Sequence, residues 1–391
     1  MKRRNLTRRN LLVITTACLF CCSPVQAKKP ETPPGGENGG EPQFTIIPFR
    51  PTDFATTESY VVDLNEQGQA VGIVGLPSGN VVAVHLDIAT NVYTSLLDSA
   101  RAEGVNNLNQ IVGTEYAAGE QHAMYWSGPS AAPLSLSALP GDAKSQAWAI
   151  NDAGIIVGAS WTPRSPPPAN EDFATGVVWR VFLDSAGDVQ VDGPVALGPL
   201  AGGTESFAMD VSEVIGSSAL VTGQTNFGGN LVKEAVVWSV NLNADGTLAV
   251  PGPAAGLGTL GGQESFATGV NNLGDVCGES DGWPFLAPAG GDVGPLALPR
   301  STIWGRAEDV NDLGDVVGQL RIKRSKRDSI GRYHAYLWHA SELIDLEKEI
   351  DSQSGWDALW SANVINNSGV IAGWGQFDVN NRGYLLIPNN P

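Results

Sequence analysis

Val310-Asn311-Asp312-Leu313-Gly314-Asp315-Val316-Val317-Gly318 decides how this chain folds, because the pattern returns along nearly its whole length. A hydrophobic residue, Asn, two variable residues, usually Gly, and a short apolar run ending in Gly recur at 64–72, 105–113, 150–158, 270–278, 310–318 and 365–373. A degraded copy spans Val211 to Gly223, with Ser212 in place of the Asn. The steps between these positions are 41, 45, 61, 59, 40 and 55 residues. A period of this size without helical patterning implies one small sheet per repeat, and so a ring or stack of sheets.

Each repeat reads as about four strands. The first precedes the Asn, as in Ser265-Phe266-Ala267-Thr268-Gly269-Val270, where small and larger residues alternate. Ala147, Ala149, Ala208, Ala267, Ala307 and Ala362 keep this strand slim, which suits the crowded axis of a ring. Asn-x-x-Gly is then a hairpin turn, since Asn bonds locally to backbone and Gly supplies positive φ. A second strand follows, and a third ends in an aromatic residue at Trp126, Trp179, Trp238 and Trp338, a recurrence that points to packing between neighbouring sheets. The last repeat stops after Gly383-Tyr384-Leu385-Leu386-Ile387, while Phe44-Thr45-Ile46-Ile47-Pro48-Phe49 is a strand without a repeat of its own. If the N-terminal strand completes the C-terminal sheet, both exposed edges vanish. The expected fold is therefore all-β, a seven-bladed β-propeller over residues 44–391. An open β-solenoid is the alternative, and the degraded fourth copy leaves room for six blades plus an irregular segment.

Leu257-Gly258-Thr259-Leu260-Gly261-Gly262-Gln263-Glu264-Ser265-Phe266-Ala267, followed by Val270-Asn271-Asn272-Leu273-Gly274, resembles the bacterial extracellular HAF repeat, named for a His-Ala-Phe triplet. His122-Ala123-Met124 and His334-Ala335-Tyr336 are similar to that triplet with the Phe replaced. The resemblance covers most of residues 44–388 and implies an exported repeat array. It carries no catalytic residues.

Residues 1–27 read as an export signal: Lys2, Arg3, Arg4, Arg8 and Arg9, an apolar stretch from Leu11 to Cys22, and Val25-Gln26-Ala27 as cleavage site. The stretch is shorter than the roughly 20 residues that span a bilayer, so no transmembrane segment is expected. Thr7-Arg8-Arg9-Asn10-Leu11-Leu12 resembles a twin-arginine signal, leaving the export route open, and Leu19-Phe20-Cys21-Cys22 is a poor match to a lipoprotein site. Residues 28–43 form a Pro/Gly/Glu-rich linker with nothing apolar to bury, expected to be disordered. The expected location is secreted, periplasmic or at the cell surface. Cys277 alone remains beyond the signal, which excludes an internal disulfide and suits a buried small hydrophobe. Without the signal, 18 Lys and Arg face 41 acids, a net charge near −23 that argues against nucleic acid as a partner.

Chemistry is harder to find. Asn311-Asp312-Leu313-Gly314-Asp315 offers some oxygens of a calcium loop without the full set, so weak calcium binding is the only cofactor expectation and no metal ligands are assigned. His85, His122, His334 and His339 are too dispersed for zinc. No Gly-x-Ser-x-Gly elbow or phosphate loop occurs. Acids near blade boundaries, Glu205, Glu264 and Glu308, are the open enzymatic route, but Glu205 and Glu264 occupy the same repeat position, which suggests a structural role; no catalytic residue is assigned. Insertions fall between second and third strands, at Trp161 to Asp172 and at Arg321 to Tyr333 with its dense basic charge, and so share one face of a propeller. Trp161, Arg321, Lys323, Arg324, Trp356 and Trp374 are the candidate ligand-binding residues. The resulting expectation is a monomeric, non-catalytic binding or interaction module for extracellular polysaccharide or another surface protein. Competing readings are a polysaccharide hydrolase or lyase with carboxylates at the channel mouth, and a structural surface protein.

Overall fold

The computed structural model describes residues 42–389 apart from 52–54, 118, 163–172, 227–231, 250 and 326. The signal, nearly all of the linker and most of the first insertion lie outside the described residues. The chain forms seven four-stranded antiparallel sheets, each with its strands in sequential order except the last. Inner strands run over Glu58–Leu64, Ala100–Val105, Lys144–Ile150, Ser206–Val211, Ser265–Val270, Thr302–Val310 and Trp356–Ile365, defining blades 1 to 7. Each touches the inner strands on either side, and that of blade 7 touches that of blade 1, so the sheets close into a seven-bladed propeller. Phe44–Phe49 is the outer strand of blade 7, paired antiparallel with Asn380–Pro388 from Phe44 opposite Pro388 to Phe49 opposite Gly383. Chain entry and exit thus share one sheet, and Phe44–Phe49 covers the edge that Asn380–Pro388 would otherwise expose.

Seven buried clusters hold the ring, each filling the gap between two adjacent blades. Trp126, Trp179 and Trp238 are fully buried, and the indoles of Trp179 and Trp238 donate to Ser137 O and Gly198 O of the preceding segment at 2.9 and 2.8 Å. Cys277 is likewise buried, among residues of blades 5 and 6.

Every inner strand carries a bulge in the same place, skipping one residue in the pairing between, for example, Val61 and Asp63 or Ala307 and Asp309. The bulge brings the inner strand hard against the Gly that ends each motif. A Cβ on Gly113, Gly158, Gly278 or Gly318 would stand well inside contact distance of a carbonyl oxygen on the inner strand, which explains why no side chain occupies that position in any repeat. In the turn, Gly68, Gly154, Gly274, Gly314 and Gly369 have φ between 74° and 87°, and blade 2 uses Asn109 at 64° instead.

Candidate functional site

The two ends of the ring differ. At the end carrying the motif turns, here the Asn face, the side-chain oxygen of each motif Asn accepts the N–H of the residue four positions on, closing its own turn. Its amide then donates to the motif carbonyl of the next blade: Asn65 to Asn106, Asn106 to Asn151, Asn151 to Ser212, Asn271 to Asn311, Asn311 to Asn366 and Asn366 to Asn65. Ser212 lacks the amide, so the link from blade 4 to blade 5 is missing. A second circle is complete. The N–H groups of Glu66, Asn107, Asp152, Glu213, Asn272, Asp312 and Asn367 each donate to the side chain of the following member, with Asn367 returning to Glu66 at 2.7 Å. The repeated Asn is therefore a fastener of the ring. Among the described residues no group of three or more His, Cys, Asp or Glu side chains is placed to hold a metal ion.

Around the axis, two residues before the motif position, stand Asp63, Asp210 and Asp309. Each uses one oxygen on the N–H that follows it and the other on the inner strand of the next blade: Asp63 on Val105, Asp210 on Val270 and Asp309 on Ile365, at 2.8, 2.8 and 2.9 Å. Asp210 thus spans the seam where the Asn link is missing. Burial, aided by mutual repulsion around the axis, pushes the carboxyl of Asp63 up to about 7 and that of Asp210 up to about 8; burial and nearby Glu308 push that of Asp309 up to about 6.

The opposite end, here the loop face, carries the insertions and the connections between blades. An acidic pair sits there between blades 5 and 6. Glu308, on the inner strand of blade 6, accepts from Gln319 Nε2 at 2.9 Å, and its other oxygen lies 3.2 Å from Arg306 Nε. The two side chains of that ion pair are only 17 % and 15 % exposed. Glu279, on the second strand of blade 5, accepts from Gly282 N at 3.0 Å and from the Trp304 indole. Desolvation raises the Glu279 carboxyl; Arg306 opposes that and the charge of Glu308 adds to it. One acid is therefore biased towards its protonated form beside a second that is paired with a guanidinium.

Aromatic rings surround this end: Trp148 edge-on to Trp161, Trp304 to Tyr333, and Trp374 to Trp360 and Tyr60, with centroids 5.2 to 6.2 Å apart. Arg321 lies over Tyr333 at 5.5 Å, while Lys323 and Arg324 continue into the insertion. Trp161, Trp374, Arg321, Lys323 and Arg324 are thus brought to one face. Trp356 opens the inner strand of blade 7 opposite Phe377, at that same end, and packs half-buried on Phe377 and Tyr384. Glu205 and Glu264 flank Lys233, whose ammonium lies over Phe207 and Phe266 at 5.4 and 5.9 Å and whose pKa desolvation lowers. Their repetition reflects this shared cation. Glu279 and Arg306 were not singled out from the sequence. The signal lay in comparing repeats by column: Glu279 follows the motif Gly, where Ile73, Thr114, Ala159, Gln224, Gln319 and Trp374 stand in the others.

No family model matches the chain, and no curated protein is significantly similar in sequence. Solved structures share the architecture. Acylaminoacyl peptidase of Pyrococcus horikoshii aligns over 85% of this chain and 52% of its own, at 10% identity and a TM-score of 0.50. Virginiamycin B lyase of Staphylococcus aureus aligns over 88% and 99%, at 10% identity and 0.44, and a gluconolactonase of Xanthomonas campestris over 75% and 95%, at 14% and 0.35. This chain spans about half the length of the peptidase. Identities this low show the fold alone. The expectation of a non-catalytic module is corrected to this extent: it finds no support in them, since the three proteins named are enzymes.

Proposed function

We propose that the protein is an exported hydrolase or lyase of an extracellular polysaccharide, with Glu279 and Glu308 as its acid–base pair on the loop face. The observation that carries this reading is the pair itself: two carboxyls in different surroundings that both feel the charge of Arg306, one lifted by burial and one bonded to a guanidinium and an amide. In that reading Glu279 delivers a proton to the leaving glycosidic oxygen. Glu308 removes a proton from water in hydrolysis or from a sugar carbon in elimination, and Arg306 stabilises the charge that builds up. The rings of Trp148, Trp161, Trp304 and Trp374 offer apolar faces on which sugar rings stack.

The test is incubation of residues 28–391 with a panel of neutral and uronate-containing polysaccharides, followed by sizing of the products. Shortened chains, with new reducing ends for hydrolysis or new double bonds for elimination, support the reading. A panel left intact across pH 4 to 9 contradicts it.

A further inference from the structure

The Lys and Arg residues are sorted to one end of the ring. Among the described residues every one but Arg180 and Arg306, which is midway along the inner strand of blade 6, lies on the loop face, in a blade connection, a second-to-third-strand loop or the adjoining strand ends. Arg180 is itself tied to the Gly246 carbonyl. The Asn face is left with carboxylates, Glu66, Asp152, Glu213 and Asp312 in its inner turns and Asp188 and Asp245 further out. In the same inner turns, four large aliphatic side chains stand out into solvent: Leu108, Ile215, Leu273 and Leu313, between 61% and 70% exposed. Ile215, Leu273 and Leu313 belong to three successive blades and so line one arc of this face.

The loop face holds the matching surface. The insertion of blade 6 presents Lys323, Arg324 and Arg327 against a single acid, Asp328, and exposes Ile330 at 66% and Tyr333 at 42% beside them. Arg321, stacked on Tyr333, has a buried Nε without a hydrogen-bond partner.

We infer that the ring associates head to tail with a second copy of itself, the basic, apolar insertion of blade 6 docking on the acidic, leucine-bearing Asn face of the next ring. Charge decides the orientation. Two Asn faces repel each other, whereas insertion and Asn face attract and each contributes apolar surface. A contact between different patches does not close on itself and allows a column.

Sedimentation velocity of residues 28–391 at 0.1 M salt, where the Debye length is about 10 Å, is the first measurement. The expected result is a sedimentation coefficient that rises with protein concentration and loses that dependence near 1 M salt. Arg324→Ser with Arg327→Ser removes one patch, and Leu273→Ser with Leu313→Ser removes the other. Each double variant, checked for folding by its melting transition, should sediment as a monomer alone, and an equimolar mixture should form a 1:1 dimer through the patches left intact. A wild-type ring that stays monomeric, variants that still associate alone, or folded variants that do not combine would overturn the inference. Charge reversal at Arg324 and Arg327 provides a second insertion variant should the first fail to fold.

Discussion

The side-chain amide of Asn366 donates to the backbone carbonyl of Asn65 at 3.1 Å, joining residues 301 positions apart. It is one of six equal links, yet it is the one between the last blade and the first. Asn366→Ala removes this bond and the local one to Val370 N, leaving buried groups unpaired. The expected loss is about 1–3 kcal/mol, read from denaturant unfolding at constant m-value. Asn366→Asp keeps the local acceptor but sets a carboxylate oxygen against the Asn65 carbonyl, so it costs less than Ala if the turn bond outweighs that repulsion.

The N-terminal strand is the other half of the closure. A chain beginning at residue 42 should fold and stay soluble, whereas one beginning at residue 50 exposes the edge of Asn380–Pro388 that Phe44–Phe49 covers. Light scattering on warming should separate the two, with aggregation confined to the shorter chain.

Gly278→Ala places a Cβ against the carbonyl of Phe266 and the ring of Phe285. The backbone cannot yield without disturbing the bulge, so destabilisation of about 1–3 kcal/mol or more is expected. Gly252→Ala, in open space, should leave the melting temperature unchanged and serves as the control.

Asp63, Asp210 and Asp309 make stability depend on pH. Their folded values of about 7, 8 and 6 lie above the ordinary carboxyl value, so protonation favours the native state. Their contribution is whole below about pH 4 and is lost as pH rises through 6 to 8. The charges that face them are one another, together with Glu308 and Asp312 beside Asp309. Melting temperature should fall between pH 5 and pH 9, and Asp210→Asn should flatten that slope. An equal slope in the variant would assign the pH dependence to other groups.

Much of the architecture could be read from the chain because its backbone constraints are local. Asn311 closes its own turn and Gly314 supplies its positive φ, so both leave a mark at fixed spacing. The closure was legible for a different reason: blade 7 lacked a strand and Phe44–Phe49 lacked a sheet. The links between blades left no comparable trace. The same Asn serves turn and fastener, and nothing in sequence separates the two roles. Trp356 shows the limit for aromatic residues: standing outside the strand register says nothing of the Phe377 and Tyr384 rings on which it packs. Glu279 and Glu308 meet from different blades, 29 residues apart, and the drift in repeat length hides such pairing from any fixed spacing.

The most direct test of the proposed acid–base pair is the pH–rate profile of polysaccharide cleavage by the wild type, Glu279→Gln and Glu308→Gln. The account predicts a bell-shaped profile for the wild type and, for each variant, a loss of about 10²–10⁴-fold in kcat with the melting temperature preserved. Glu279→Gln should lose the limb set by the acid and Glu308→Gln the limb set by the base. Folded variants that cleave as fast as the wild type would contradict it and place the chemistry elsewhere.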